Sequence, residues 1–456
     1  MFKKNSSYSD IALVAITVFS ICATVFFVNW GASGNPFVMD VNQYYSYLPA
    51  VFINYDLSFS ENLHSYWLIE TPIHQLVPKV TYGIAFFYSP FFLLAQAFSP
   101  ANSVGYESTY AWFVHYGCIF YILIGFFYTK KILSLWFKDK VVAISLAIVF
   151  FATNLFYYTV SESESVHGIL FFLVAFFLYH VVIWHKKKSV KSFLLFMVSA
   201  GFICLIRPTE CMLFLFPLLI GVVDVESLKE KFKNIMRLKW ILLVGFLLFA
   251  LPIMPQLVYW KIHSGSFLFF SYGNNEGFFW TDPKLMNVLF SFKKGWLIYT
   301  PVMIFSVIGF SFMFRKNKIL FYPTLFYFLI NVYVVCSWWD WAYGGSFGMR
   351  AFIHCYAVLI MPLAYFIDGV IGLYKKSMAK TALVYGFALL GLFFCTLNIF
   401  QSNLYKHHII HWDGMTREAY MFTFFKKKYT EQDFAYLKVV IKSPDYAARR
   451  KGERDE

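Results

Sequence analysis

Long apolar segments recur along almost the whole chain, and they limit what it can fold into more than any other feature. Stretches of about 20 residues with few charges alternate with short breaks rich in Lys, Arg, Gly or Pro. A bilayer core of roughly 30 Å needs about 20 apolar residues per helix. Because 59% of the 456 residues are hydrophobic and only 14% are charged, the composition is typical of membrane proteins. The sequence therefore predicts an all-α polytopic membrane protein.

Basic clusters between the apolar segments orient the predicted helices. Cytoplasmic loops are enriched in Lys and Arg, so an even number of crossings is expected between neighbouring clusters. The clusters lie at residues 3–4, 130–140, 186–188, 229–239, 315–318 and 375–380. This rule predicts about eleven transmembrane helices with the N-terminus inside and the C-terminus outside. The predicted spans cover residues 11–30, 109–129, 141–159, 166–184, 192–206, 209–223, 240–260, 297–314, 319–337, 351–373 and 381–400.

One apolar stretch, 82–98, makes the crossing count odd and is predicted to lie on the outer leaflet. It contains Pro90 and follows a polar stretch with Pro72 and Pro78, and proline disfavours an uninterrupted spanning helix. The first extracytoplasmic loop, 31–108, is therefore expected to carry interfacial helices.

The chain is predicted to divide at about residue 400. Residues 1–400 would form the transmembrane domain, within which the loop 261–296 could act as a lid, and residues 401–456 a short C-terminal tail. The tail carries Lys426–Lys428 and Arg449–Lys451. Because long tails obey the charge rule less strictly, a cytoplasmic tail stays open.

Several function classes find no support in the sequence. The seven cysteines show no CxxC spacing, so neither a disulfide framework nor a zinc site is indicated. The net charge of +14 is concentrated in loop clusters, which favours contact with anionic membrane lipids over nucleic acid. No GxxxxGK[ST] or HExxH motif occurs, so nucleotide-driven chemistry is not expected.

Polar groups of functional interest all fall on the predicted outer face, and ionisable groups at membrane depth usually mark a site. Asp40 lies about ten residues beyond the first apolar segment and precedes Tyr44 and Tyr45. We predict Asp40 as a catalytic base and the two tyrosines as binding residues. The alternative is an exposed loop carboxylate, as Asp56 is expected to be.

The short loop after the predicted span 141–159 holds a second group. Glu162 and Glu164 stand in Ser161–Ser165, and His167 follows. Helix capping would explain one of the carboxylates but not all three groups. We therefore predict Glu162, Glu164 and His167 as binding residues, with capping as the alternative.

Two further segments carry basic groups suited to phosphate. Arg207 and Glu210 stand in a Pro-containing turn, where the guanidinium could hold a phosphate or pair internally with the carboxylate. Lys79 and Tyr82 stand at the start of the interfacial segment, where a lysine could bind phosphate or simply extend to the interface. We predict all four as binding residues.

The loop 337–350 combines aromatic, acidic and basic groups with a Gly-rich turn. Trp339, Asp340 and Arg350 are predicted to contact a sugar or its phosphate. An interfacial aromatic belt would explain the tryptophans, but it does not explain Asp340 or Arg350.

These motifs, taken in order, resemble the GT-C superfamily of polytopic glycosyltransferases, which includes protein O-mannosyltransferases, lipid A aminoarabinose transferases and oligosaccharyltransferases. The resemblance covers most of residues 1–400. It rests on Asp40 with the segment 44–49, the segment 79–90, the turn 205–209, the segment 295–301 and the segment 344–350.

The resemblance implies inverting transfer of a sugar from a polyprenyl-phosphate or pyrophosphate carrier to an extracytoplasmic glycan, lipid or protein acceptor. Asp40 would be the base or would orient the acceptor, and Arg207 and Arg350, with Lys79, would neutralise the leaving phosphate. Some relatives bind a divalent metal through paired acidic groups, but the single Asp of this first loop gives such a cofactor weak support.

Two other functions remain open at this point. A polytopic transporter or lipid flippase would also need many spans, but such proteins tend to carry internal repeats and midplane charges. A non-catalytic scaffold of the cell envelope would keep the fold without the chemistry.

Overall fold

The computed structural model describes residues 7–31, 34–59, 67–236, 239–273, 276–424, 426 and 428–454. Lys3, Lys4 and Lys427, which the topology prediction used, lie outside the described residues, as do Asn274 and Asn275 of the predicted lid.

Regular structure in the described ranges is almost entirely helical, which confirms the predicted all-α polytopic class. Six helices there are long and apolar enough to cross a membrane, and a bent pair could form a seventh span. Three further apolar helices are shorter: Gly83–Phe98, Val190–Ile206 and the helical run Pro208–Leu219. Length and composition alone thus support fewer spans than the predicted eleven, because prolines divide several predicted spans into shorter helices.

Two compact units make up the chain, and their segments alternate along the sequence. The first comprises residues 1–27, 133–157 and 274–456, and the second comprises residues 28–132 and 158–273. Helices Ser108–Leu133 and Tyr157–Val160 each pass from one unit to the other.

The first unit is built around the helical run Arg350–Ile371, in which an apolar stretch of 18 residues is 94% buried. This run packs on Asp139–Phe151 and Ile304–Lys316. A Cβ on Gly309 would lie 2.0 Å from the Pro362 carbonyl oxygen, so glycine permits the close helix crossing there. The remaining helices of this unit are Tyr8–Phe27, Leu285–Phe290, Trp296–Tyr299, Pro301–Met303, Lys318–Ser337, Met378–Lys406, Arg417–Thr423, Glu431–Val440 and Tyr446–Arg450.

Two helices of the first unit expose most of their apolar surface. In the apolar stretch of 18 residues within each helix, only 11% of the residues of Met378–Lys406 and 22% of those of Tyr8–Phe27 are buried inside the protein. Exposed apolar helices of this length are expected to face lipid.

The second unit is centred on Val166–Lys187, which packs against Val190–Ile206. It also holds the strands Leu68–Glu70 and Leu76–Pro78, which pair antiparallel with Ile69 opposite Val77. Its other helices are Met39–Tyr45, Tyr47–Phe52, Gly83–Phe98, Pro208–Phe214, Leu215–Leu219, Val225–Met236, Lys239–Ala250 and Met254–Ser264.

The C-terminal residues pack into the first unit. Trp341 Nε1 donates to the Arg454 carbonyl at 3.2 Å, and the Arg454 guanidinium donates to the carbonyls of Cys336 and Trp338 at 2.9 and 2.7 Å. The tail therefore lies on the same side as the loop 338–350.

Candidate active site

A broken helix supports one part of the candidate site in the second unit. Helices Lys239–Ala250 and Met254–Ser264 meet at a bend of 48° that contains Pro252. Backbone groups at such a break lack regular helical partners. The Tyr82 hydroxyl donates to the Pro252 carbonyl at 2.5 Å, and the Tyr82 N–H donates to Gln256 Oε1 at 3.0 Å. Tyr82, a predicted binding residue, thus stabilises the bend.

The segment that carries Lys79 packs against the turn that carries Arg207. Thr81 Oγ1 donates to the Leu205 carbonyl at 2.8 Å. A Cβ on Gly83 would lie 2.7 Å from Cγ1 of the residue just before Arg207, so glycine allows the two segments to approach. The structure therefore brings together two predicted phosphate-binding segments that are distant in sequence.

The two cations of these segments have different surroundings. Lys79 is half-buried, and its Nζ lies 4.6 Å from the centroid of the Tyr272 ring. An aromatic face attracts an ammonium group without neutralising it. Arg207 Nε lies 3.8 Å from Oε1 of the buried Glu210, which agrees with the alternative that this pair fixes the turn. The roles of Lys79, Arg207 and Glu210 in binding stay predictions.

Asp40 is exposed in the first turn of helix Met39–Tyr45. The preceding residue, Met39, has a φ of +47°, a left-handed conformation that is unfavourable for a side chain of this kind. Strained backbone of this sort is often found at functional sites. The catalytic role of Asp40 stays a prediction.

The two tyrosines that follow Asp40 differ in accessibility. Tyr44 is half-buried, whereas Tyr45 is fully buried and stacks on Phe37 with ring centroids 3.6 Å apart. The Tyr45 hydroxyl donates to the Gly105 carbonyl. The geometry of Tyr45 favours a role in packing, so Tyr44 is the better placed of the two to contact a substrate.

A buried carboxylate and imidazole form a pair that the sequence analysis missed. Glu164 Oε1 lies 2.6 Å from His115 Nδ1, and both side chains are almost completely buried. Ser163 Oγ donates to the His115 carbonyl at 2.9 Å. His115 is a polar residue within the apolar helix Ser108–Leu133. A polar side chain in such a segment is the sequence signal that could have identified His115.

The other two residues of this predicted group lie on either side of Glu164. Glu162 is half-buried, and its carbonyl accepts the Ser165 N–H at 3.1 Å. His167 is buried, with its ring centroid 5.8 Å from that of Tyr158. Their roles in binding stay predictions.

Replacing Glu164 by Ala is expected to destabilise the protein by about 1–3 kcal/mol, because His115 would lose a buried hydrogen-bond partner. Thermal unfolding of the purified protein measures this loss. Glu162→Ala, which removes a half-buried carboxylate from the same loop, should cost clearly less. Equal unfolding temperatures for the two variants would show that the buried pair contributes little.

In the first unit, Asp340 is held by the C-terminal tail. Arg449 Nη1 lies 2.5 Å from Asp340 Oδ1, and both side chains are buried. Asp340 Oδ2 also accepts the Gly344 N–H at 2.6 Å. Burial raises the pKa of the Asp340 carboxyl, and the Arg449 charge opposes that rise. This geometry favours a structural role for Asp340, although contact with a substrate was the prediction.

The tail also covers Trp339, and Arg350 lies nearby. Arg450 Cζ lies 4.9 Å from the centroid of the Trp339 ring, and Trp339 is 7% exposed, so little of the ring is accessible for sugar stacking. A Cβ on Gly344 would lie 4.0 Å from Arg350 Nη2 and 3.9 Å from Asp340 Oδ2. Arg350 therefore lies in the same part of the loop and is half-buried.

A buried lysine fixes the Gly-rich turn to the tail. Lys294 is fully buried and donates to the carbonyls of Ser346 and Trp412. The Ser346 N–H donates to the Trp412 carbonyl at 3.0 Å. The turn 343–348 thus depends on residues after 400, which the sequence analysis treated as a separate tail.

A divalent metal, which the sequence supports only weakly, would need several ligating side chains close together. In the part of the chain that the structure describes, no three His, Cys, Asp or Glu side chains are grouped so that they could hold a metal ion.

Comparison with known proteins identifies the fold. No protein-family model matches the chain, and no curated protein matches it in sequence. ArnT from Cupriavidus metallidurans in the apo state superposes with a TM-score of 0.50 and 11% identity, over 88% of this chain and 72% of ArnT. The same ArnT bound to undecaprenyl phosphate gives a TM-score of 0.50 and 11% identity, over 87% and 69%.

The chain has a GT-C-type fold. This agrees with the resemblance found in the sequence, and the protein is a multi-pass membrane protein. Because 11% identity carries the fold alone, the roles of individual side chains depend on the geometry of this chain.

Proposed function

We propose that this protein is an integral-membrane glycosyltransferase that moves a sugar from a polyprenyl-phosphate-linked donor to an acceptor on the extracytoplasmic side. The observation that carries the proposal is the packing of the Lys79 segment on the Arg207 turn beside a proline-broken helix. It occurs within a fold shared with ArnT, which has been solved with undecaprenyl phosphate bound.

A basic pair of this kind suits the leaving group of such a transfer. When the bond between the anomeric carbon and the phosphate oxygen breaks, the electron pair leaves with the lipid phosphate. Cationic donors aimed at that oxygen stabilise the developing charge. We assign Lys79 and Arg207 to this task.

Asp40 is the group we assign to the acceptor. The acceptor hydroxyl would attack the anomeric carbon from the face opposite the phosphate, and its proton would pass to the Asp40 carboxylate. The products are an inverted glycoside and the free lipid phosphate, so atoms and charge balance. We also assign Tyr44, which is half-buried four residues further on, to contact with the acceptor.

The first test concerns Lys79. Lys79→Gln is expected to lower kcat/KM for transfer by roughly tenfold to a hundredfold, because a hydrogen bond to a charged group contributes about 1.5–3 kcal/mol. Membranes containing the protein would be incubated with radiolabelled polyprenyl-phosphate sugars, and label in the product counted.

The matched control is Lys261→Gln. Lys261 is exposed in the same unit and donates to the Gly265 carbonyl at 2.8 Å, so this variant should transfer at the wild-type rate. Lys79→Arg should restore part of the lost rate. If Lys79→Gln and Lys261→Gln transfer equally fast, Lys79 does not act on the leaving group.

A further inference from the structure

A cavity in the first unit is lined by none of the residues assigned above. Its volume is about 710 Å³, which is in the range of small-ligand sites. One wall comes from the segment 286–293 and the other from tail residues 414–417 and 442–445.

The charge of the cavity lining is predominantly positive. Lys293, Arg417 and Lys442 line it, against the single acidic residue Asp445. The Asp445 carboxylate already accepts the N–H groups of Ala447 and Ala448 at 3.0 and 2.9 Å, as the N-cap of helix Tyr446–Arg450. The cavity is therefore suited to an anion.

Two of these cations are positioned to meet a ligand that enters from outside. Arg417 and Lys442 are exposed. Arg417 Cζ lies 5.9 Å from the centroid of the Phe292 ring, which also lines the cavity. A guanidinium can hold two phosphate oxygens at once through parallel N–H donors.

An apolar edge stands beside the charged wall. Met286 and Phe290 line the cavity and are 70% and 49% exposed. Their helix, Leu285–Phe290, is fixed to the end of an apolar helix that is long enough to span a membrane, because the Lys284 N–H donates to the Cys336 carbonyl at 2.9 Å. Exposed apolar side chains at the end of a membrane helix are expected to meet lipid chains.

We propose that this cavity is a binding site for the phosphate headgroup of an anionic membrane lipid. Arg417 and Lys442 hold the phosphate, and Met286 and Phe290 contact the start of the lipid chain. The cavity shares no lining residue with the proposed transfer site, and the inference does not rest on the proposed function.

Lipid binding by the full-length protein in detergent tests the proposal. Native mass spectrometry would give apparent Kd values for dioleoylphosphatidylglycerol and dioleoylphosphatidylcholine. We expect the anionic lipid to bind at least about tenfold more tightly, because phosphatidylcholine carries beside its phosphate a choline cation, which the basic lining repels. Equal Kd values for the two lipids would overturn the proposal.

A double variant tests whether phosphatidylglycerol binds in this cavity. Arg417→Gln with Lys442→Gln should weaken phosphatidylglycerol binding by at least about tenfold and leave phosphatidylcholine unchanged. The matched control is Lys428→Gln with Lys438→Gln, which removes the same charge from exposed positions of the same tail and should change the Kd less than about twofold. Equal losses in both double variants would overturn the assignment of this cavity.

A competition experiment distinguishes a lipid-binding site from a site for free phosphate. Inorganic phosphate at the same concentration should not displace phosphatidylglycerol, because it lacks the chain that meets Met286 and Phe290. Displacement at equal concentration would contradict a lipid site and indicate a site for the free ion. Unfolding temperatures of all variants should equal that of the wild type, since both substituted pairs are exposed.

Discussion

Asp40→Asn is expected to lower kcat for sugar transfer by about 10²–10⁴-fold, the usual contribution of a general base. The amide has the shape of the carboxylate but cannot take the proton of an acceptor hydroxyl. Because Asp40 is exposed, its replacement should leave the unfolding temperature unchanged, so the loss would be one of chemistry. Single-turnover transfer by purified protein in liposomes measures the rate.

Glu70→Gln is the control for Asp40→Asn. The Glu70 side chain is 65% exposed, and its partner His74, at 2.7 Å, is also exposed, so the same chemical change there should leave transfer intact. Asp40→Glu should retain part of the activity, because the proton acceptor is kept and only its reach changes. Wild-type kcat in Asp40→Asn would remove Asp40 from the role of base.

Arg449→Met is expected to destabilise the protein by about 3–5 kcal/mol, the usual cost of leaving one partner of a buried ion pair uncompensated. The Arg449 and Asp340 side chains are 0% and 6% exposed, and only 2.5 Å separates their charged atoms. The measurement is the free energy of unfolding from urea titration of the detergent-solubilised protein.

The loss of stability in Arg449→Met is expected to depend on pH. Burial already raises the pKa of Asp340, and Arg449 opposes that rise, so removal of Arg449 raises this pKa further. A carboxyl with a raised pKa in the folded state destabilises the fold where it is ionised, and this cost disappears as the pH falls through that pKa. The decrease in the free energy of unfolding caused by Arg449→Met should therefore be largest at neutral pH and become smaller at acid pH.

Two comparison variants complete the Arg449 test. Arg450→Met removes the neighbouring cation, which is 43% exposed and lies 3.2 Å from Glu276, so it should cost no more than about 1 kcal/mol. Asp340→Asn combined with Arg449→Met should recover much of the lost stability, because neither charge of the buried pair remains. A loss that is equal for Arg449→Met and Arg450→Met would mean that the buried pair does not hold the loop.

The sequence was sufficient for the fold class because bilayer thickness imposes a length and an apolar composition on each spanning helix. The number of spans stays a prediction. Prolines such as Pro252 allow a long apolar stretch to bend into two short helices, and hydropathy alone does not show where that happens.

The roles of the candidate site residues stay predictions, and their contacts could not be predicted from the sequence. Lys79 and Arg207 were both chosen for their charge, and the structure shows their segments in contact. The pairing of Asp340 with Arg449 spans 109 positions, and no local pattern encodes such a contact. His115 was missed for the same reason, since its partner Glu164 is 49 positions away.

The central claim is that the protein cleaves the bond between sugar and lipid phosphate and transfers the sugar. The most direct test uses purified protein in liposomes that contain a polyprenyl-phosphate sugar and candidate acceptors. The amount of each product formed is measured. We predict equimolar release of polyprenyl phosphate and glycosylated acceptor, with the anomeric configuration inverted. Movement of intact donor across the bilayer, with no polyprenyl phosphate released, would contradict a transferase and identify a flippase.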